Sequence, residues 1–136
     1  MPYHESSYRV PYADTDQMGV VYYANYLEYF ERSRTEMLRD AGLPYSELEQ
    51  LGYYLPVREA HLQYESGARY DDLLIFRSQI AEARGARLVI VSEVRRGDEL
   101  LVSGSVTLAC VNRERRITRL PAVILEAIQK LSAETD

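Results

Sequence analysis

One long helical pattern followed by a series of alternating runs constrains this chain more than any other feature. From about Tyr23 to Ala41, the residues Tyr26, Tyr29, Phe30, Ser33, Met37 and Ala41 share one helical face, with Glu28, Glu31, Arg32, Glu36 and Arg39 mainly off it. Gly42 stops the pattern, and Pro44 stands where proline often follows a helix end. The period then changes to two over Tyr53–Tyr64, Asp72–Ala83, Arg87–Arg95 and Glu99–Val111, with turns at Gly85 and Gly97-Asp98. In the second of these runs Leu74, Phe76, Ser78 and Ile80 fall on one side. A single helix with one apolar stripe, followed by antiparallel hairpins, describes an α+β domain with the helix against one sheet face.

The remaining segments fill in that plan. Residues 5–14 predict a first strand with Tyr8, Val10 and Tyr12 on one face, and Pro11 points to an edge position or a local irregularity. Residues 45–51 predict a short helix closed by Gly52, and 117–120 a short strand. Pro121 opens a terminal helix to about Leu131, with residues 133–136 frayed. At 136 residues the chain predicts one domain, 1–136, large enough for a real core.

Composition narrows the function classes. No apolar run approaches the roughly 18 residues of a membrane span, so none is expected, and the polar start Met-Pro-Tyr-His-Glu is no signal peptide. The one cysteine, Cys110, forms no internal disulfide, and a cytoplasmic location is expected. A net charge of −5 argues against a nucleic-acid partner. Of the 16 basic residues only Lys130 is a lysine, and the arginine fork suits phosphate, although genome composition or heat adaptation gives the same bias. Neither His4 nor His61 has a partner at metal-ligand spacing, so no metal is expected.

The chemistry concentrates in Tyr12 to Tyr26. Two acids, Asp14 and Asp16, precede a turn at Gly19 and then the start of the long helix. The first N–H groups of a helix have no intrahelical acceptor, and with the helix dipole they can hold a developing oxyanion. The segment thus offers a carboxylate and an electrophile-polarising backbone together. On the residues alone, Asp16 is as well explained as an N-cap or Asx-turn aspartate. Gly19 is as well explained as a plain turn glycine.

The order Asp14-Thr-Asp16-x-x-Gly19-Val-Val-Tyr-Tyr-x-Asn25-Tyr26 resembles the signature of the 4-hydroxybenzoyl-CoA thioesterase-like branch of the hotdog-fold superfamily, in particular its Tol-Pal-associated acyl-CoA thioesterases. The likeness continues through Phe30-Glu-Arg-Ser-Arg-Thr-Glu-Met-Leu and Ala68-Arg-Tyr-Asp-Asp-Leu-Leu74. It implies a hotdog fold, with the antiparallel sheet wrapped around the central helix 23–41. It also implies a hydrolase that splits acyl-CoA into free acid and CoA. Asp16 then becomes the catalytic carboxylate, as nucleophile or general base. The backbone N–H of Tyr23 becomes the oxyanion donor, and Gly19 leaves room for substrate.

Tyr22, Asn25 and Tyr26 are candidates for the acyl pocket or its entrance, although core and cap roles suit at least two of them. Arg84 and Arg87, flanking Gly85, are candidates for the coenzyme phosphates; Arg113, Arg115, Arg116 and Arg119 read as solvated surface. Asp14 is expected to brace the loop, Asp71 and Asp72 to stabilise a turn, and Glu31 is the fallback carboxylate. No cofactor is implied, since coenzyme A belongs to the substrate. Family members assemble as dimers and often tetramers, so a homo-oligomer, up to a homotetramer, is expected. An acyl-carrier-protein thioesterase, or a non-catalytic acyl-ligand-binding or scaffolding hotdog protein, are the alternatives. Retention of Asp16, Gly19 and the helix start counts against the last.

Overall fold

A computed structural model of the chain describes residues 3–133; residues 134–136, expected to fray, lie outside them. The strands β1 (His4–Arg9), β2 (Val57–Tyr64), β3 (Leu73–Arg84), β4 (Arg87–Arg96) and β5 (Glu99–Ala109) form one antiparallel sheet in the order β1-β3-β4-β5-β2. Helix α1 (Asn25–Asp40) lies on one face of that sheet and packs against α2 (Tyr45–Gln50), while α3 (Ala122–Ala133) adds Ile124, Ala127 and Ile128 to the core. This is the expected α+β arrangement of a sheet around a central helix.

The helix stripe read from the sequence is the buried one. Tyr26, Tyr29, Phe30, Ser33, Met37 and Ala41 are all buried, and so are Leu74, Phe76, Ser78 and Ile80 of β3. Each large apolar side chain so buried contributes about 1.5–3 kcal/mol. A transverse row of mostly short residues crosses the inner sheet face, pairing His4 with Ser78, Ser78 with Ser92, Ser92 with Gly104 and Gly104 with Leu62. Ser33 of α1 drops into it: its Oγ is 2.5 Å from Ser78 Oγ, which is 2.7 Å from Ser92 Oγ. The ring of Phe30 rests where Gly104 has no side chain.

Several boundaries differ from those expected, for local reasons. The first strand ends at Arg9 instead of 14, because Pro11 has no N–H to continue the ladder and the chain enters a 3₁₀ turn at Tyr12–Asp14. Tyr12 is therefore exposed, off the face it was expected to share with Tyr8 and Val10. Pro56 similarly delays β2 to Val57, leaving Tyr54 an isolated bridge to Val111. Residues 117–120 form no strand; Ile117 makes a single bridge to Val111. The helix begins at Asn25 and not Tyr23, because Tyr23 and Ala24 form a turn that leads into it.

The closeness of α1 to the sheet gives a test. A methyl group added at Gly104 meets the His61 carbonyl of the neighbouring strand and sits 3.0 Å from the Phe30 ring. Gly104→Ala is expected to cost about 1–3 kcal/mol or more, read as a lower midpoint in urea unfolding. A shift below a few tenths of a kcal/mol would mean that the helix does not depend on this row.

Candidate active site

The segment between β1 and α1 folds as a miniature hairpin. Thr15 pairs with Val21, the Asp16 N–H donates to the Val20 carbonyl (2.9 Å), and the Gly19 N–H donates back to the Asp16 carbonyl (3.0 Å). Gly19 has φ +79°, the left-handed conformation that glycine takes without strain, and a Cβ placed there would meet nothing within 4 Å. The tip is open as well as tightly turned.

Asp16 is half-buried. Its Oδ1 accepts the Met18 N–H at 2.9 Å, an Asx-turn, while nothing among the described residues donates to its Oδ2. Contact with Tyr23 raises the Tyr22 phenol above its ordinary pKa, and the Asp16 carboxylate adds to that shift. The Asp16 carboxylate and the Tyr22 ring therefore share one neighbourhood.

The start of α1 supplies donors. Asn25, Tyr26 and Leu27 give their N–H groups to the carbonyls of Tyr22, Tyr23 and Ala24, a 3₁₀ pattern at 2.8–3.3 Å. That tightening leaves the N–H groups of Tyr23 and Ala24 without an acceptor among the described residues. The two adjoining donors at the positive end of a 16-residue helix form a small anion cradle. The Tyr64 hydroxyl, from the end of β2, donates to the Tyr23 carbonyl (3.1 Å) and fixes this turn from the far side.

Two sets of contacts hold the hairpin. On one side, Asp14 Oδ2 accepts hydroxyl protons from Tyr29 of α1 (2.7 Å) and Tyr8 of β1 (3.1 Å), and the Asp14 carbonyl accepts the Tyr22 N–H (2.9 Å). Burial, then the bond to Asp14, pushes Tyr29 far above the ordinary phenol value and Tyr8 in the same direction. On the other side, the Val21 N–H donates to the Ala68 carbonyl (2.8 Å), Val20 bridges Arg69, and the Ala68 N–H donates to the Tyr26 hydroxyl (3.1 Å). Asp72 anchors this second support, accepting the Arg69 N–H (2.8 Å) and the Arg96 guanidinium (2.7 Å). Partial burial opposes ionisation of Asp72, but those two donors hold its pKa below the ordinary carboxylate value.

Asp16, Gly19, Tyr22, Tyr23 and Asn25 thus gather at one end of the sheet. Tyr22 and Tyr23 are exposed, and Asn25 is half-buried with its side-chain amide unpartnered among the described residues. Tyr26 lies beneath them in the core, 2% exposed, with its hydroxyl occupied by the Ala68 N–H. Arg84 and Arg87 are not part of this neighbourhood. They flank the β3–β4 turn at the opposite end of a 12-residue strand, on the order of 35 Å away, and Arg87 is paired with Glu82 at 3.0 Å.

The loop carrying Arg113, Arg115, Arg116 and Arg119 stands at the same far pole as Arg84 and Arg87, joined to their turn by the Leu120 N–H to the Gly85 carbonyl (2.8 Å). Glu31 stands on the exposed face of α1, while Glu28 and Glu36 pair with Arg32 and Arg39. Asp72 stabilises a turn as expected, whereas Tyr64, Ala24 and the Arg69 and Arg96 partners of Asp72 are contributors that the sequence did not single out.

A family model described as the thioesterase-like superfamily matches residues 10–128. The chain belongs to that superfamily. It is 37% identical over 107 residues to the acyl-CoA thioesterase YbgC of Haemophilus influenzae, covering 76% of this chain and 77% of that one. Among solved structures, a probable thioesterase from Bartonella henselae superposes with a TM-score of 0.80 at 37% identity, covering 89% of this chain and all (100%) of that one. A DHNA-CoA thioesterase from Staphylococcus aureus superposes with a TM-score of 0.90 at 27% identity, covering 99% and 94%. The superfamily match therefore spans the hairpin, the whole of α1 and strands β2 to β5, with β1 lying before it.

Both supports can be tested. Tyr29 has a folded pKa above its unfolded value of about 10, so its contribution is complete below that pH and is lost as pH rises beyond it. Tyr29→Phe is expected to cost about 1.5–3 kcal/mol at neutral pH and to flatten the fall in stability above pH ~10, followed by denaturant unfolding across that range. Asp72 has the opposite sign: its contribution is complete above the unfolded value of about 3.9 and is lost as pH falls further. Asp72→Asn is expected to lower stability by about 1 kcal/mol at neutral pH, with that deficit vanishing in acid. A deficit that persists unchanged at low pH would separate Asp72 from the Arg96 pair.

Proposed function

We propose that this member of the thioesterase-like superfamily hydrolyses acyl-CoA thioesters with Asp16 as its reactive carboxylate and the Tyr23 and Ala24 N–H groups as its oxyanion donors. The activity itself rests on membership over residues 10–128 together with 37% identity to an acyl-CoA thioesterase: the chain is a thioester hydrolase. The observation that carries the mechanism is an Asp16 Oδ2 without a donor among the described residues, on the same short segment as two helix-start N–H groups without an acceptor among them.

The thioester carbonyl oxygen points at the start of α1, where charge develops as the tetrahedral centre forms. Asp16 either attacks the carbonyl carbon, giving an acyl-aspartyl anhydride that water then opens, or removes a proton from an attacking water. Both routes expel the CoA thiolate and end in a free carboxylate, and both need only water and the chain's own groups. The open Gly19 tip and the exposed rings of Tyr22 and Tyr23 border the approach, with the Asn25 amide beside them.

Coenzyme phosphates call for the arginine pole, where Arg84, Arg87, Arg115, Arg116 and Arg119 gather. Because that pole stands at the other end of the subunit, the complete site takes its phosphate contacts from a second copy. The outer strand β2 supports such an assembly: it is an unpaired edge, exposed along nearly all its length, with Val57 51% and Tyr64 46% exposed. A homo-oligomer, dimer or homotetramer, working in the cytoplasm is the reading we favour; no helix among the described residues is long and apolar enough to cross a membrane.

Thiol release from a panel of short, long and aromatic acyl-CoAs tests the reading. Wild-type turnover is expected on at least one of them, with Asp16→Asn slower by roughly 10²–10⁴-fold at unchanged thermal midpoint and mass. Full activity in Asp16→Asn would move the carboxylate role to Glu31. Turnover of acyl-carrier-protein thioesters alone would replace coenzyme A as the substrate handle.

A further inference from the structure

Arg34 is the arginine of α1 that no side chain pairs. It lies on α1 within the stretch Phe30–Leu38 and is half-buried, yet no carboxylate or carbonyl among the described residues accepts from its guanidinium. Every other arginine of α1 is paired: Arg32 with Glu28 at 3.1 Å and Arg39 with Glu36 at 3.4 Å. Burial draws the Arg34 pKa below the ordinary arginine value, with Glu31 on the helix surface pulling the other way. A half-buried guanidinium with no protein acceptor keeps its forked donors available to a ligand.

Arg34 lines a cavity of about 160 Å³ together with Glu31, Thr35, Leu38, Tyr45, Leu55 and Leu108, between α1, α2 and β5. Its polar edge is rich in donors. The Tyr45 hydroxyl already accepts the Leu55 N–H at 2.9 Å, which leaves its own proton to give. The Thr35 hydroxyl has no partner among the described residues. Glu31 is exposed at the rim. The opposite wall is three leucine side chains. Ligand pockets for drug-sized molecules run to about 300–1,000 Å³, so this cavity is too small for a coenzyme or a long acyl chain. It has room for roughly five waters' worth of volume.

We propose that this cavity is a binding site for a small monocarboxylate, with its two oxygens on Arg34 and the Thr35 and Tyr45 hydroxyls and its short alkyl end against Leu38, Leu55 and Leu108. The forked guanidinium suits two carboxylate oxygens, and the leucine wall selects a carboxylate with a methyl or propyl tail over a fully hydrated inorganic ion. The site is separate from the Asp16 hairpin: Arg34 lies nine residues along α1 from Asn25, about 14 Å at 1.5 Å per residue. Binding there is read without turnover, so it stands or falls independently of the hydrolase mechanism.

The test is a titration of the full chain with acetate and butyrate against sodium chloride at matched ionic strength. Two readouts are followed: the thermal midpoint and the NMR signal of the Arg34 side-chain Nε–H. A saturable response to both carboxylates, and none to chloride, is expected. Arg34→Gln is expected to weaken binding by roughly tenfold or more, and Thr35→Val by about threefold. If Arg34→Gln does not fold, Thr35→Val decides through the change in apparent Kd. No saturable wild-type response, an equal response to chloride, or unchanged affinity in both variants would overturn the proposal. So would an Arg34→Gln protein whose mass in light scattering changes while the wild type ignores carboxylates, because the guanidinium would then belong to a contact between copies.

Discussion

The depth at which α1 sits in the sheet governs everything else in this structure, and it is set by side chains that are short or missing. Ser78, Ser92 and Gly104 lie side by side across three strands; the Ser33 hydroxyl of the helix meets that of Ser78, which in turn meets that of Ser92. Leucine at any of these positions would lift the helix by the width of a side chain. Its N-terminus would move with it, away from the hairpin that carries Asp16. The inner sheet face is therefore not a uniform apolar surface. It is a trough, with Phe76, Leu74 and Val94 packed beside it and small residues along the line that the helix follows.

With the helix fixed at that depth, Tyr29 and Tyr26 become the link between core and site. Both rings are buried on the helix stripe, and both hydroxyls reach out of it: Tyr29 to Asp14, Tyr26 to the Ala68 N–H. A phenylalanine would fill either volume equally well but could not tie down a polar loop. The abundance of tyrosine over phenylalanine, 12 against 2, acquires a physical meaning at these two positions. The core uses aromatic residues with a polar tip where the hydrophobic stripe ends and the hairpin begins.

Much of this was legible in the sequence, and the parts that were not have identifiable causes. Helical spacing picked out five of the buried residues of α1 and Ala41 just beyond it, missing Leu38, and period-two alternation picked out the inner face of β3. Boundaries slipped where proline acted, at Pro11 and Pro56, because periodicity does not register a missing N–H. The hairpin Thr15–Val21 was placed as a loop, since its bonds are local backbone bonds that leave no pattern in side-chain polarity. Asp14 could be expected to brace the loop, but not that its partners would come from β1 and α1 at once. Arg84 and Arg87 show the limit most clearly. The strand to Ala83 and the turn at Gly85 follow from the alternation, but nothing in it says that the Asp16 hairpin stands at the other end of that strand.

Asp16 also removes a choice that the sequence seemed to force. An aspartate before a helix is commonly either a turn-former or a reactive group, and the two accounts compete for the same residue. In the mechanism proposed above the carboxylate is divided between them. Oδ1 accepts the Met18 N–H and fixes the side-chain torsions, while Oδ2 is left unpaired among the described residues. A free carboxylate on a flexible arm would lose rotamer entropy on engaging a carbonyl, and a fully bonded one would have no oxygen to offer. Using one oxygen to hold the other in place avoids both costs. The Asx-turn is then the means by which a surface hairpin can hold a carboxylate oxygen in a single orientation.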